Sequence, residues 1–304
     1  MKKVIKPRKR EKLIEELKKC KLIKRTFRRN NEIYSFTHNE APTLMYEVAR
    51  LREEAFRAIG CGTGNVLDID EQDTGSGAYQ QLIVWNPSDQ EIIGGYRYAI
   101  GKNYIEQPHL LSMAHYFRFS KSFVNDYLPY SIELGRAWVN PLYQPSGDEK
   151  RSIFALDNLW EGIGALIAQN ENIKYLYGKV TIPEGYNPTA RNLIYNFLDR
   201  HFKDRKRLLR PQKPFFSRQR NRNKNQVINV DDDFKETSFS VKSLGVSVPP
   251  LINAYFRLAK GMTTFGTALN PELGNSFETG IMIAVEDIHR DKFTRYVQPI
   301  TLTA

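Results

Sequence analysis

Two β-rich runs, residues 79–85 and 91–100, flank the five residues Asn86-Pro-Ser-Asp-Gln90, and this pattern constrains the chain more than any other. It predicts an antiparallel hairpin. Before it, the sequence predicts a strand at 33–36 and a helix over 42–59, with Pro42 in the first turn and Leu44, Val48, Leu51, Ala55 and Phe56 on one apolar stripe. After it come a helical region near 110–117, a strand at 131–139, a helix over 151–169, a strand at 175–181 and a helix over 188–202. Further on, 250–260 reads as helix and 279–285 as strand. A hairpin followed by strand–helix–strand–helix predicts an α/β fold, a mixed sheet with helices on its faces.

The remaining segments set the domain organisation. Residues 7–24 predict a basic amphipathic helix with Leu13, Ile14 and Leu17 on one face, suited to a membrane surface or to packing on the domain. The chain is thus divided into a basic N-terminal segment, 1–30, and one domain over 31–304. Within that domain, 203–230 is rich in proline, asparagine and arginine and reads as an exposed basic excursion. Gly60-Cys-Gly-Thr-Gly64 lacks nucleotide-loop spacing and follows a helix, so it reads as a helix-ending turn.

Charge and cysteine content narrow the functional classes. A net charge of +11, concentrated in 2–29 and 200–224, favours an acidic partner: nucleic acid, anionic lipid or an acidic carrier protein. Two cysteines without a partner motif argue against a disulfide framework, and five histidines without ligand spacing argue against a metal site. No run approaches the ~20 apolar residues of a membrane span, and no export signal is seen, so the expected location is cytoplasmic, with peripheral attachment to the inner membrane face.

Four local patterns then narrow the reading further. They are Leu51-Arg52-Glu-Glu-Ala-Phe56, Asp68-Ile-Asp70-Glu71-Gln-Asp73, Gly94-Gly-Tyr-Arg97 and Glu133-Leu-Gly-Arg136-Ala-Trp-Val-Asn-Pro-Leu-Tyr143. In this order they resemble the GNAT-type N-acyltransferases of acyl-amino-acid lipid synthesis, the ornithine-acyl carrier protein and glycine N-acyltransferases. Tyr175-Leu-Tyr-Gly178-Lys-Val and Val248-Pro-Pro-Leu-Ile-Asn-Ala-Tyr255 extend the resemblance over roughly 40–290. A more distant similarity is to acyl-homoserine-lactone synthases. The resemblance implies a GNAT-like fold with a mostly antiparallel twisted sheet. It also implies transfer of a fatty acyl group, 3-hydroxylated in some members, from a thioester to the α-amine of glycine or ornithine.

Where this chain departs from the family, the donor is affected. Gln144-Pro-Ser-Gly-Asp-Glu-Lys-Arg151 carries one glycine where a pyrophosphate loop would carry more. That favours an acyl carrier protein with its 4'-phosphopantetheine thioester over acyl-CoA, which stays open, and no permanently bound cofactor is expected.

The chemistry requires a group to take the amine's proton and a means of holding a carboxylate. Glu133 is the leading base candidate, with pairing to Arg136 as its structural alternative. Asp70 and Asp73 are candidates for the ammonium, Arg97 and Arg136 for the amino acid's carboxylate, and Arg52 for tying the acidic turn to the helix beneath it. By the same resemblance, Trp138, Val139 and Asn140 border the thioester, with backbone N–H groups holding its oxygen. The rival reading is a non-catalytic RNA- or other nucleic-acid-binding protein built on 200–224, a stretch without any recognised RNA-binding signature; nucleic acid is not the expected partner.

Overall fold

The computed structural model describes residues 1–144, 154–217 and 229–297. In chain order the strands are β1 (Lys21–Arg25), β2 (Glu32–Phe36), β3 (Gln80–Asn86), β4 (Glu91–Ile100), β5 (Phe117–Phe119), β6 (Ser131–Val139), β7 (Tyr175–Ile182), β8 (Leu209–Pro211), β9 (Pro214–Phe215), β10 (Thr263–Asn270) and β11 (Ser276–Ala284). Nine of them form one sheet in the order β1-β2-β3-β4-β6-β7-β11-β10-β9, and β5 pairs with β8 apart from it. β6 runs parallel to β7; the other neighbours in the sheet are antiparallel. The fold is the mixed, mostly antiparallel α/β arrangement that the sequence predicts.

Alternation along the strands separates the cores. On β3, Leu82 and Val84 face a core shared with α4 (Ala155–Ala168), through Leu159, Ile163 and Leu166. Ile83 and Trp85 face the opposite side, against α1 (Arg10–Leu17) and α2 (Pro42–Ala58). The stripe on α2 is buried at Leu44, Val48, Leu51 and Ala55, and Phe56 is half-buried. A four-residue helix, α3 (Glu71–Thr74), leads towards β3. Behind β7, α5 (Pro188–Phe202) packs with α6 (Val230–Ser243) and α7 (Pro250–Leu258); α8 (Arg290–Tyr296) closes the described chain.

The N-terminal prediction requires correction. The helix expected over 7–24 spans only Arg10–Leu17, and residues 21–25 become the edge strand β1 instead. Eight residues make a marginal helix without tertiary support, while a turn with Arg29 and Asn30 at positive φ pairs β1 with β2. Leu13 and Leu17 are spent on α2. Glu16 accepts the N–H groups of Thr43 and Leu44 at 3.1 and 2.7 Å, capping α2. Of the two roles the sequence allowed this apolar face, a membrane surface or packing on the domain, the burial of Leu13 and Leu17 takes the second.

Residues 203–230 also differ from an unbroken excursion. They contain β8 and β9, and Val230 begins α6; 218–228 lie outside the described residues. The segment 144–151, apart from Gln144, lies outside them too. The region near 110–117 forms 3-10 turns, and β1, β5, β10, α6 and α8 have no counterpart in the sequence reading. No helix among the described residues is long and apolar enough to cross a membrane.

Candidate active site

The site begins where β6 and β7 part. Their parallel pairing covers Ser131–Leu134 against Tyr175–Gly178 and then ends. Beyond it, β6 continues against β4 and β7 against β11. At the apex a side chain on Gly178 would put its Cβ 2.3 Å from the carbonyl oxygen of Leu134, so only glycine allows the strands this close. The opening is a cleft of about 650 Å³. Its walls are Arg136–Val139 on one strand and Lys179–Thr181 on the other, roofed by the end of α2 and by Val246 and Leu251. The size and mostly apolar walls suit an acyl thioester.

A bulge shapes the β6 wall. Gly95 pairs with Trp138 but Arg97 with Gly135, so β6 carries one extra residue there, and Arg136 adopts φ +46°. Such a bulge bends its strand and re-aims a side chain. Arg136 turns to the acidic turn: Nε lies 3.0 Å from Asp68 Oδ2 and Nη2 3.3 Å from Asp70 Oδ2.

That turn is the centre of a buried ion network. Arg52 on α2 holds Asp73 through Nη1 at 3.0 Å and Nη2 at 2.6 Å, and its Nη2 also donates to the Asp68 carbonyl. Arg97, buried on β4, donates to Asp70 and lies 3.4 Å from Asp73 Oδ2. Burial alone would raise the pKa of both aspartates; Arg97 for Asp70, and Arg52 with Arg97 for Asp73, outweigh it and hold both low. Arg97 and Arg136, expected to hold a substrate carboxylate, are thus already committed to protein carboxylates. Arg52 does tie the acidic turn to α2.

Glu133 lies on the same face of the sheet, and Arg136 does not pair with it. Its Oε1 accepts from Tyr79 Oη at 2.8 Å and the Met113 N–H at 3.1 Å, and Oε2 from Tyr177 Oη at 3.0 Å. Burial raises its pKa, against those three hydrogen bonds. The tyrosines enclose it, and the cleft wall is formed by other residues. Arg97 stacks over the Tyr79 ring at 5.5 Å, linking Glu133 to the ion network.

The predicted thioester border divides. Trp138 and Val139 line the cleft. Asn140 does not: its side chain donates to the Ile92 carbonyl at 2.8 Å and accepts from the Leu142 N–H, and its own N–H donates to Ile93. That N–H is committed, so it cannot hold a thioester oxygen, which corrects the reading of Asn140. The Gly60–Gly64 turn likewise spends its amides internally. Thr63 and Gly64 N–H donate to Glu53 at 3.0 and 2.9 Å, and Gly60 ends α2 at φ +77°.

Sequence reasoning missed Lys179, Asp68, Tyr79 and Tyr177. A lysine inside the apolar strand Tyr175-Leu-Tyr-Gly-Lys-Val was the available signal for the first. No cluster of three or more metal-ligating side chains occurs among the described residues.

Comparison with known proteins decides the family. A glycine N(alpha)-acyltransferase of Bacteroides thetaiotaomicron is 43% identical, the match covering 98% of this chain and 90% of that one. The chain belongs to the family of this N-acyltransferase. A second glycine N(alpha)-acyltransferase, from Phocaeicola vulgatus, is 42% identical over 98% of this chain and 93% of its own. The acetyltransferase (GNAT) domain family matches residues 51–150 of the acyltransferase, a span holding Arg52, the acidic turn, Arg97, Glu133 and Arg136. The CoA-dependent acyl-homoserine lactone synthase BjaI, solved with SAM and isopentyl-CoA, aligns over 86% of each chain at 10% identity and a TM-score of 0.36. As an enzyme of acyl transfer, the protein departs from the non-catalytic nucleic-acid reading.

Proposed function

We propose that this acyltransferase moves a fatty acyl group from a carrier-protein thioester to the amine of glycine, the first step of an aminolipid's synthesis. The carrying observation is the charge of the cleft wall. Among its described residues it holds two cations, Arg136 and Lys179, and no carboxylate. Arg136 is neutralised by Asp68 and Asp70, so an amino acid with a cationic side chain, such as ornithine, would meet Lys179 as like charge there, whereas glycine brings only its own carboxylate and amine. The two relatives named for glycine support the same choice.

The reaction forms a C–N bond and breaks a C–S bond; the amine loses a proton and the leaving thiolate gains one. An α-amine of pKa around 8 is mostly protonated at neutral pH. Asp70, held ionised and 30% exposed at its side chain, is suited to attract that ammonium. Glu133, with its raised proton affinity, is suited to accept the proton through its hydrogen-bonded surroundings. Trp138 and Val139 flank the acyl thioester, and positioning in the cleft supplies the larger share of rate, about 7–11 kcal/mol in well-oriented systems.

The carrier donor rests on charge. A second groove of about 460 Å³ is lined by Lys203, Arg207 and Arg210 and by two carboxylates, Asp199, which pairs with Lys203 at 3.2 Å, and Asp204, so Arg207 and Arg210 supply its outward positive charge, and the chain carries +11 overall. Both suit an acidic carrier protein, and an anionic membrane surface is the second partner that such charge would attract. The test is purified enzyme with acyl-carrier protein or acyl-CoA, offered glycine and ornithine together, with products read by mass spectrometry. N-acylglycine from the carrier thioester is expected. Predominant acylornithine would refute the glycine assignment, and equal use of both donors the carrier assignment.

A further inference from the structure

Lys179 is the one charged group of the cleft wall with no protein partner described. Its Nζ is buried yet makes no hydrogen bond among the described residues. It lies over the face of the Tyr116 ring, 4.0 Å from the centroid, which attracts a cation weakly and accepts no conventional hydrogen bond. Glu278, on the neighbouring strand, is engaged by Thr181 Oγ1 and Asn270 Nδ2, both at 2.8 Å. A buried ammonium without a partner costs stability, and native structures keep such groups where a ligand completes them.

We propose that Lys179 is the anchor for the carboxylate of the acceptor amino acid. The inference rests on the acyl-to-amino-acid reading above and assigns a residue to it. The competing cation on the opposite wall is Arg136, whose Nε and Nη2 face Asp68 and Asp70. Lys179 can therefore take a carboxylate without breaking an existing ion pair. The carboxylate end would lie against β7 and the amine towards β6, where Arg136 carries Asp70 and the thioester is flanked by Trp138. An acceptor without a carboxylate would leave the lysine as unsatisfied as it is now, so the anchor also sets specificity for a free amino acid over its amide or a peptide.

The electrostatics agree. Burial lowers the lysine's pKa to about 8, with Glu278 opposing the shift, Arg136 and Arg97 adding to it, and Glu133 opposing it. At neutral pH the group remains mostly a cation, and a bound carboxylate would hold it so.

The experiment compares glycine with glycinamide for the full-length enzyme and for Lys179→Met and Lys179→Arg, with melting temperatures measured in parallel. Wild type should prefer glycine, and Lys179→Met should lose roughly 10–100-fold in kcat/KM for glycine, chiefly through KM, with little change for glycinamide. Lys179→Arg should keep part of the preference. Lys179→Met should melt no lower than wild type, because an unpartnered charge has been removed; a misfolded variant would lose both substrates equally. Should Lys179→Met retain the full preference, or should wild type show none, the anchor is overturned while acyl transfer stands. A wild-type enzyme that acylates no amino acid at all overturns the functional reading and the anchor together.

Discussion

Asp73 carries more of the site than its place in a short acidic turn suggests. It accepts from Arg52 twice, from Gln81 Nε2 at 3.0 Å and from the Asp70 N–H at 3.1 Å. Removing one partner of a buried pair strands the other charge, so Asp73→Ala should cost about 3–5 kcal/mol in urea unfolding. The pH dependence has a definite sign. The folded-state pKa values of Asp70 and Asp73 are depressed, so their contribution is complete above the unfolded carboxylate value of about 4 and drains away as pH falls towards the folded values. Stability measured from pH 7 to pH 2 should fall steeply below about pH 4, and less steeply in Asp73→Ala. The residue types of this turn were legible in the sequence, as was the link from Arg52. Which arginine meets which aspartate was not, because Arg52, Arg97 and Arg136 come from three separate elements and the aim of Arg136 depends on a bulge in β6 that no local pattern announces.

Among the elements, α2 and the β3–β4 hairpin could be read directly, from an apolar stripe and from two β-rich runs around a turn, although burial runs on past those patterns, without a break over Glu47–Glu53 and along the interiors of both strands. The N-terminal helix could not be bounded. Its eight residues owe their form to α2, to which Leu13 and Leu17 give their apolar surface and Glu16 a cap. The β6–β7 junction is likewise a property of pairing between distant segments. A substitution at its apex tests whether the parting of these strands makes the site. Gly178→Val would drive its Cβ against the Leu134 carbonyl and force the strands apart. Acyl transfer should fall at least about tenfold, with a stability loss of roughly 1–3 kcal/mol. Unchanged kinetics would mean that the cleft's spacing does not govern the reaction.

At the level of the whole molecule, charge is the readable quantity and its placement the hidden one. The excess of +11 called for an acidic partner, and the groove rimmed by Arg207 and Arg210 gives part of it a surface. Reversing both, as Arg207→Glu with Arg210→Glu, should raise KM for an acyl carrier protein about tenfold at low salt. The effect should shrink as salt screens the pair, and kcat with a small thioester should be unaffected. If KM is unmoved, the carrier docks elsewhere. Covering of the α1 apolar face by α2 removes one means of membrane attachment and leaves surface charge as the remaining one.

By itself the sequence determined the α/β class, the α2 stripe, the hairpin and the residue types a thioester–amine reaction requires. Those follow from local periodicity and from the order of short motifs, both properties of neighbouring residues. Tertiary structure alone decided that Arg97 and Arg136 are committed to aspartates, that Glu133 sits among tyrosines and that Lys179 lines the cleft with no hydrogen-bond partner among the described residues. Partnership between charged groups is set by distance in space, and here β6, β7 and the acidic turn meet only after the sheet has formed.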